Sequence, residues 1–329
     1  MNPFEYQRVD QPASAIDAIA SSQQAKFLAG GTNLIDLMKN HVEQPTRLVD
    51  INYLPLAKIE ELPDGGLRLG ALAKNSDTAN HPLVRQKYPM LSQALLAGAS
   101  PQLRNMATNG GNVLQRTRCY YFMDPAFTQC NKRAPGSGCG ALEGVNRIHG
   151  IFGTSNDCIA THPSDMCVAL AALDAKVRVR GPEGERTIAM TDFHRLPEKT
   201  PHVDTNLQHN ELILSIDLPV SRYGAHSYYL KIRDRASYAF ALVSVAAALE
   251  MVGDEVRSAR IALGGVAHKP WRVEEAEKAL AGTRLSAEVI ESAAKQAVAG
   301  AKAYQYNGFK IEMARLGVIR ALRVAGGVA

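Results

Sequence analysis

A window of 40 residues holds four of the five cysteines in this chain, Cys119, Cys130, Cys139 and Cys158. The fifth, Cys167, follows shortly after, and the first 118 and last 162 residues contain none. An odd count, with no basic and apolar leader over Met1–Ala15, does not read as a disulfide framework. Core cysteines scatter, whereas cysteines gathered like this point to a metal or cluster site. The same window is where periodicity fails. Between Leu114 and Gly150 the apolar residues follow neither the helical nor the strand repeat, and Pro125, Pro135, Gly136, Gly138, Gly140 and Gly144 interrupt the chain. A stretch of this length cannot bury enough apolar surface to order itself, so something else must hold it.

The flanking sequence is more regular. Residues 14–22 carry a helical pattern, Lys26–Leu28 reads as a short strand, and a helix restarts at Leu34, Leu37 and Met38. Arg47–Ile51 and Leu67–Leu72 read as strands and Met90–Ala99 as a helix. Pro163-Ser164 opens another helix that runs to Leu173. From Lys176 strands dominate: Lys176–Arg180, Arg186–Met190, Glu211–Leu218 and Ser227–Ile232, with Ala241–Leu249 and Arg257–Val266 continuing an antiparallel sheet. Helices are expected at Arg272–Ala281, Ala287–Ala299 and Lys310–Arg323. The fold class is therefore α+β, with a C-terminal sheet-and-helix unit from about residue 223. A net charge of +5 without a Lys/Arg run gives no basis for nucleic-acid binding. The longest apolar stretch, Ala239–Leu249, is too short to span a bilayer, so no membrane insertion is expected. Without a signal of its own, the chain is expected in the cytoplasm, or in the periplasm as part of a co-exported complex.

Three short motifs carry chemistry. In Lys26-Phe27-Leu28-Ala29-Gly30-Gly31-Thr32-Asn33-Leu34 a strand, a Gly-Gly turn and a helix start place several backbone N–H groups in one concavity, a nest for phosphate oxygens. An ordinary tight turn has the same sequence. Gly98-Ala99, followed by Arg104 to Asn112 with its Gly110-Gly111 pair, is a second such site, or a plain helix end and loop. His162-Pro163-Ser164-Asp165 stands at a helix start, where Ser164 or Asp165 can simply cap. G-x-G-x-x-G and Walker A patterns are absent, which excludes the usual nicotinamide and P-loop sites.

In order and spacing these motifs, with the C-terminal unit, resemble the FAD-binding subunits of the xanthine dehydrogenase and carbon monoxide dehydrogenase flavoprotein family over essentially the whole chain. The resemblance implies a two-part FAD domain over residues 1–53 and 54–222, with an insertion at about 114–160, and a C-terminal α+β domain over 223–329. It implies that Lys26, Leu28, Ala29, Gly30, Gly31, Thr32, Asn33 and Leu34 line the pyrophosphate and adenosine side of FAD. Gly98, Ala99, Gly111, Asn112, Ser164 and Asp165 match further flavin-contacting positions, as do Ile213 and Lys231. The implied partners are a large molybdenum cofactor-binding subunit and a small 2Fe–2S subunit. This chain would be the electron-transfer member, with no catalytic residue of its own for substrate oxidation.

The cysteines are spaced Cys119-x10-Cys130-x8-Cys139-x18-Cys158. Four thiolates can hold an iron–sulfur cluster at any spacing if the loop can wrap. Structural zinc is the alternative, although its usual C-x2–4-C pairs are missing. The flanking text, Gln115 to Cys119 and Cys130 to Cys139, resembles the FAD subunits of bacterial periplasmic aldehyde oxidoreductases, which carry a 4Fe–4S cluster here. An aromatic-CoA reductase subunit has a comparable insertion, and a non-redox module with a structural cysteine site is the remaining alternative. Cys167 lies on an apolar helical face and is expected in the core. Tyr120-Tyr121-Phe122 reads as core or as a shield for a cluster. The five Lys/Arg of Leu114–His149, against two acids, suggest a counter-charge, a surface for an acidic partner, or a solvated loop.

Overall fold

The computed structural model describes residues 1–328. Its first unit is a three-stranded parallel sheet. The strands β1 (Glu5–Arg8) and β2 (Ala25–Leu28) flank β3 (Arg47–Asp50), and the crossovers are α1 (Pro12–Ala20) and α2 (Leu34–Lys39). Pro12 opens α1, where a missing N–H costs nothing. The helix buries Ala15, Ile16, Ala18 and Ile19 against β3 residues such as Val49.

The second unit is an antiparallel sheet with a helical layer. In chain order its elements are β4 (Ile59–Glu61), β5 (Leu67–Gly70), α3 (Asn75–Asn80), α4 (Pro82–Lys87), α5 (Pro89–Ala97), α6 (Pro101–Arg104), α7 (Asn109–Val113), α8 (Tyr120–Met123), α9 (Asp165–Ala172), β6 (Lys176–Gly181), β7 (Gly184–Ala189), α10 (Met190–Phe193) and β8 (Leu212–Leu218). The strand order is β4-β5-β8-β6-β7. The third unit pairs β9 (Ser227–Ile232), β10 (Val243–Val252), β11 (Glu255–Gly264) and β12 (Trp271–Arg272) as an antiparallel sheet, with β13 (Thr283–Arg284) on β11. The helices α11 (Glu274–Leu280), α12 (Ala287–Ala297) and α13 (Phe309–Gly326) accompany it.

Side-chain alternation along β10 decides how the last two units meet. Val243, Val245, Ala247 and Leu249 join the core formed with α11–α13, while Ala246 and Ala248 join the core of the second unit. Alanines on that second face let α9 come close. At Gly264 of β11 a Cβ would lie too near the Val168 side chain of α9 to fit. The expected α+β architecture is thus present. β1, β4, α3 and α4 were not anticipated: β1 is exposed at every position and so shows no alternation, and β4 is only three residues long. Among the described residues no helix is long and apolar enough to cross a membrane.

From Leu114 to Pro163 regular structure is confined to α8 and an isolated bridge between Cys130 and Cys139. The segment has a small core of its own, with Leu37 of α2 packed on Phe122, Ala141, Ile159 and Ala160. Its far end is pinned to the third unit. Lys310 Nζ donates to the carbonyls of Ile148 (3.3 Å), His149 (2.8 Å) and Gly265 (2.5 Å). Asn307 Nδ2 donates to the carbonyls of His149 and Gly150, and Ile151 and Phe152 both donate N–H to Val266 O.

Candidate functional site

The sequence from β2 to α2 builds one wall of a cavity of 690 Å³. Lys26, Leu28, Ala29, Gly30, Gly31, Thr32, Asn33 and Leu34 all line it, as do Gly111 and Ile213. Gly31 has φ +71°, a backbone state that favours glycine. Gly30 is required by close approach: a Cβ there would overlap the Met106 carbonyl. Among the described residues, the N–H groups of Gly30, Gly31, Thr32 and Asn33 find no acceptor within the chain. The Asn33 amide is oriented by accepting the Arg116 N–H at Oδ1 (2.9 Å), which leaves its buried Nδ2 without a partner. Buried donors are rarely left unmade. A row of free N–H groups beside an unpaired amide fits an anionic ligand such as a pyrophosphate.

The second Gly-Gly turn behaves differently. Asn109 and Gly110 donate N–H to the carbonyls of Ala73 and Ala71, and Gly111 donates to Thr108 Oγ1. Its donors are spent on packing α7 against the end of β5, so it shapes the cavity without forming a second nest.

The remaining expected residues gather at a second cavity of 280 Å³, which Ser164 and Asp165 line with Arg118, His162 and Phe240. Ser164 Oγ caps α9 by accepting the Cys167 N–H (3.1 Å) and donates to Asn112 Oδ1 (2.6 Å), which joins the two sites. Lys231 Nζ donates to Asp165 Oδ2 (2.8 Å) and to Ala97 O (3.1 Å), and Tyr229 donates to Asp165 Oδ1 (2.7 Å). Gly98 leaves room for that carboxylate, since a Cβ there would sit 3.3 Å from Oδ2. Ala99, at φ +46°, turns the chain out of α5. Gly98, Ala99, Asn112 and Lys231 support these cavities from behind and line neither of them.

Sequence reasoning missed the wall opposite the nest. His202, Val203, Asp204, Thr205 and Gln208 line the larger cavity from the loop before β8, and Leu212 lines it from the start of β8. That loop has no motif, and its tie to the site is a partly buried ion chain. Arg116 Nε donates to Asp204 Oδ2 (2.7 Å) and its Nη1 to Glu43. Lys132, 2 % exposed, pairs with Asp204 and donates to Pro201 O (2.6 Å). Burial pushes the Asp204 carboxyl up, but the charges of Lys132 and Arg116 outweigh it and hold it below the usual carboxylate range.

Lys132 also borders a hollow lined by Cys119, Cys130, Cys139 and Cys158. All four are free thiols. Burial pushes the Cys119 thiol up to about 12. The hydrogen bond between Cys139 and Cys158 pulls Cys139 below the usual thiol range and pushes Cys158 above it. Among the described residues no three of the four draw their sulfurs within 4.8 Å of one another. His149 Nε2 stands 3.1 Å from Cys119 Sγ and His268 Nε2 stands 3.3 Å from Cys158 Sγ. Neither histidine was expected. Phe122 is fully buried beside the hollow, whereas Tyr120 is exposed. Cys167 is in the core as expected, its thiol raised to about 12 by burial.

Each cation of the segment's basic excess has an acceptor within the chain. Arg116 and Lys132 hold Asp204, Arg118 faces Asp36, and Arg147 forms a paired bridge to Asp234. Arg133 donates to the carbonyls of Tyr121, Phe122 and Asp124. All five cations serve this chain's own loops and edges.

Residues 2–221 match the family model described as FAD binding domain in molybdopterin dehydrogenase, and residues 228–327 that of the CO dehydrogenase flavoprotein C-terminal domain. The chain is 57% identical over 281 residues, 85% of its length and 86% of the relative's, to the aldehyde oxidoreductase FAD-binding subunit PaoB of Escherichia coli (strain K12). It is 29% identical over 293 residues, 89% and 86% of the two chains, to the glyceraldehyde dehydrogenase medium chain of Sulfolobus acidocaldarius. Its fold matches a chain of carbon monoxide dehydrogenase from Hydrogenophaga pseudoflava with a TM-score of 0.78, 27% identity, and coverage of 100% and 99%.

Proposed function

Because the chain belongs to the family of FAD-binding subunits of molybdopterin dehydrogenases, we propose that it is the flavin-carrying electron-transfer subunit of a molybdenum-containing aldehyde oxidoreductase. The row of unpartnered N–H groups at Gly30–Asn33, facing a 690 Å³ cavity, carries the flavin reading. In it Lys26 and Leu28 to Leu34 frame the pyrophosphate and adenosine side, with Gly111 and Ile213 on the same cavity. Ser164 and Asp165 serve the second cavity, with Gly98, Ala99, Asn112 and Lys231 fixing their positions. The aldehyde class rests on the 57% identity to a protein named as an aldehyde oxidoreductase subunit.

Bound FAD supplies a carrier that exchanges electrons between one-electron centres and a two-electron acceptor; binding and orientation are left to the protein. The partners are a molybdenum cofactor-binding large subunit, where the aldehyde is oxidised, and a 2Fe–2S small subunit that delivers electrons here. The chain's own task is to hold phosphate, align the flavin, and exclude water with the wall around Asp204 and Leu212.

The proposal includes a 4Fe–4S cluster on Cys119, Cys130, Cys139 and Cys158. Four free thiols around one hollow, three of them buried and Cys139 half-buried, support it. A single zinc at about 2.3 Å from each sulfur would need all four within about 4 Å of one another, and no three of the four are gathered even within 4.8 Å. The test is co-purification with the two partner subunits, followed by flavin and metal analysis. One FAD and about four irons on this chain are expected. Flavin-free protein overturns the function, and one zinc without iron replaces the cluster.

A further inference from the structure

Two buried histidines contact cysteine sulfur, and neither has a role in holding flavin. His149 Nε2 lies 3.1 Å from Cys119 Sγ, and His268 Nε2 lies 3.3 Å from Cys158 Sγ. We propose that His149 and His268 donate N–H···S hydrogen bonds to the ligating sulfurs of Cys119 and Cys158 and thereby set the reduction potential of the group those cysteines hold. This rests on the cluster reading given above.

The hydrogen-bond ledger around each ring selects the donating tautomer. Both side chains are buried, His149 at 1% and His268 at 8% exposure. Both Nδ1 atoms are buried and have no partner. A proton on Nδ1 would strand a buried N–H, at about 1–3 kcal/mol, and aim the Nε2 lone pair at a negative sulfur. A proton on Nε2 satisfies the sulfur and leaves at Nδ1 only an unused lone pair. Each ring therefore donates once the cysteine is a thiolate.

The two donors are fixed by parts of the chain outside the cysteine hollow. The His149 N–H donates to Asn146 O (3.0 Å), and its carbonyl is held by Lys310 Nζ and Asn307 Nδ2. His268 follows β11 and is flanked by two anchored residues. The Ala267 carbonyl accepts the His162 N–H (2.9 Å), and Lys269 Nζ donates to Thr191 O (2.7 Å). A rigidly placed donor acts on whichever redox state carries more charge on sulfur. One-electron reduction adds negative charge that the cluster and its thiolates share, and no proton need move. Each N–H stabilises the reduced form more than the oxidised form, so the pair raises the potential.

The experiment uses the assembled complex with His149→Leu, His268→Leu, and His149→Gln and His268→Gln as variants that keep an amide donor. Iron and flavin are counted first, and the reduced fraction is then followed by electron paramagnetic resonance against applied potential. In each Leu variant the ratio of reduced to oxidised cluster at fixed potential should fall at least tenfold, about 59 mV for one electron. The Gln variants should recover most of that change, and the flavin content should not move. Full iron with an unchanged potential in both Leu variants overturns the proposal while leaving the cluster in place. Iron lost from the Leu and Gln variants alike also overturns it, since the rings would then be needed as ligands or packing. Iron lost from Leu variants but kept in Gln variants supports the hydrogen bond. Iron missing from the unmodified complex removes the cluster reading itself.

Discussion

Asp204→Asn tests whether the cysteine-bearing segment is tied to the flavin cavity through charge. The substitution keeps shape and removes one charge. Arg116 retains Glu43, but Lys132 loses its only anionic partner and keeps neutral acceptors alone, Pro201 O and the new amide oxygen. Removing one partner of a buried pair costs about 3–5 kcal/mol. Asp204 is 32 % exposed and faces the larger cavity, so in ligand-free protein part of that cost is relieved by water there. A loss of about 2–3 kcal/mol is expected. Urea unfolding followed by fluorescence measures it, because the single tryptophan, Trp271, stacks on Phe152 at the end of the segment (5.0 Å between centroids). The pH dependence has a definite sign. The native carboxyl is held below its unfolded value, so its contribution is complete above about pH 4 and is lost as pH falls through the depressed native value. The difference between wild type and Asp204→Asn should therefore be flat from neutral pH to about 4.5 and shrink below that. Adding Lys132→Met should recover part of the loss by removing the stranded cation. A single-variant loss under about 1 kcal/mol, or no recovery in the double variant, would refute the reasoning.

Gly31→Val places a β-branched residue at φ +71° with its Cβ 3.0 Å from Ile35 Cγ1, and flavin-depleted protein is expected on absorbance. The same variant forfeits ligand stabilisation of about 2.7 kcal/mol where free FAD stands at a hundredfold its Kd. Cys139→Ser should lose iron and open residues 114–160 to protease, whereas Cys167→Ser, in the α9 core, should keep iron; equal iron in both would count against the ligand assignment. Burial lowers His194 to about 4, so its contribution is present above about pH 6.5 and is lost as pH falls toward 4, a change of about 3 kcal/mol. His194→Gln, whose amide can still donate to Val113 O, should flatten that stretch of the stability profile, as read by urea midpoints.

The nest was legible because its chemistry is local: a strand, two glycines and a helix start are contiguous in sequence, and Gly31 takes the backbone state such a turn asks for. The four cysteines were legible through clustering alone. Helices such as α9 and strands such as β10 announced themselves by apolar period, and Ser164 by its place before a helix. What stayed hidden depends on contacts between distant parts of the chain. Asp204 meets Arg116 and Lys132 from a motif-free loop, and His268 reaches Cys158 across 110 residues. The basic excess of the segment was visible, but its partners, Asp36, Asp204 and Asp234, lie outside it in sequence.

The pinning of the cysteine segment by Asn307 and Lys310 fixes an order of events in the life of the chain. All four cysteines leave the ribosome before the residues that clamp Ile148, His149 and Gly150 have been made. At ordinary elongation rates that gap is on the order of ten seconds. Until α13 arrives, that end of the segment is held at Ile151 and Phe152 by Val266 but lacks the donors that hold Ile148, His149 and Gly150. On the proposed cluster reading, insertion of iron and sulfur would be completed only as the C-terminal helices dock. A truncated chain that ends before Asn307 would keep every cysteine and lack the donors that hold the carbonyls of Ile148, His149 and Gly150.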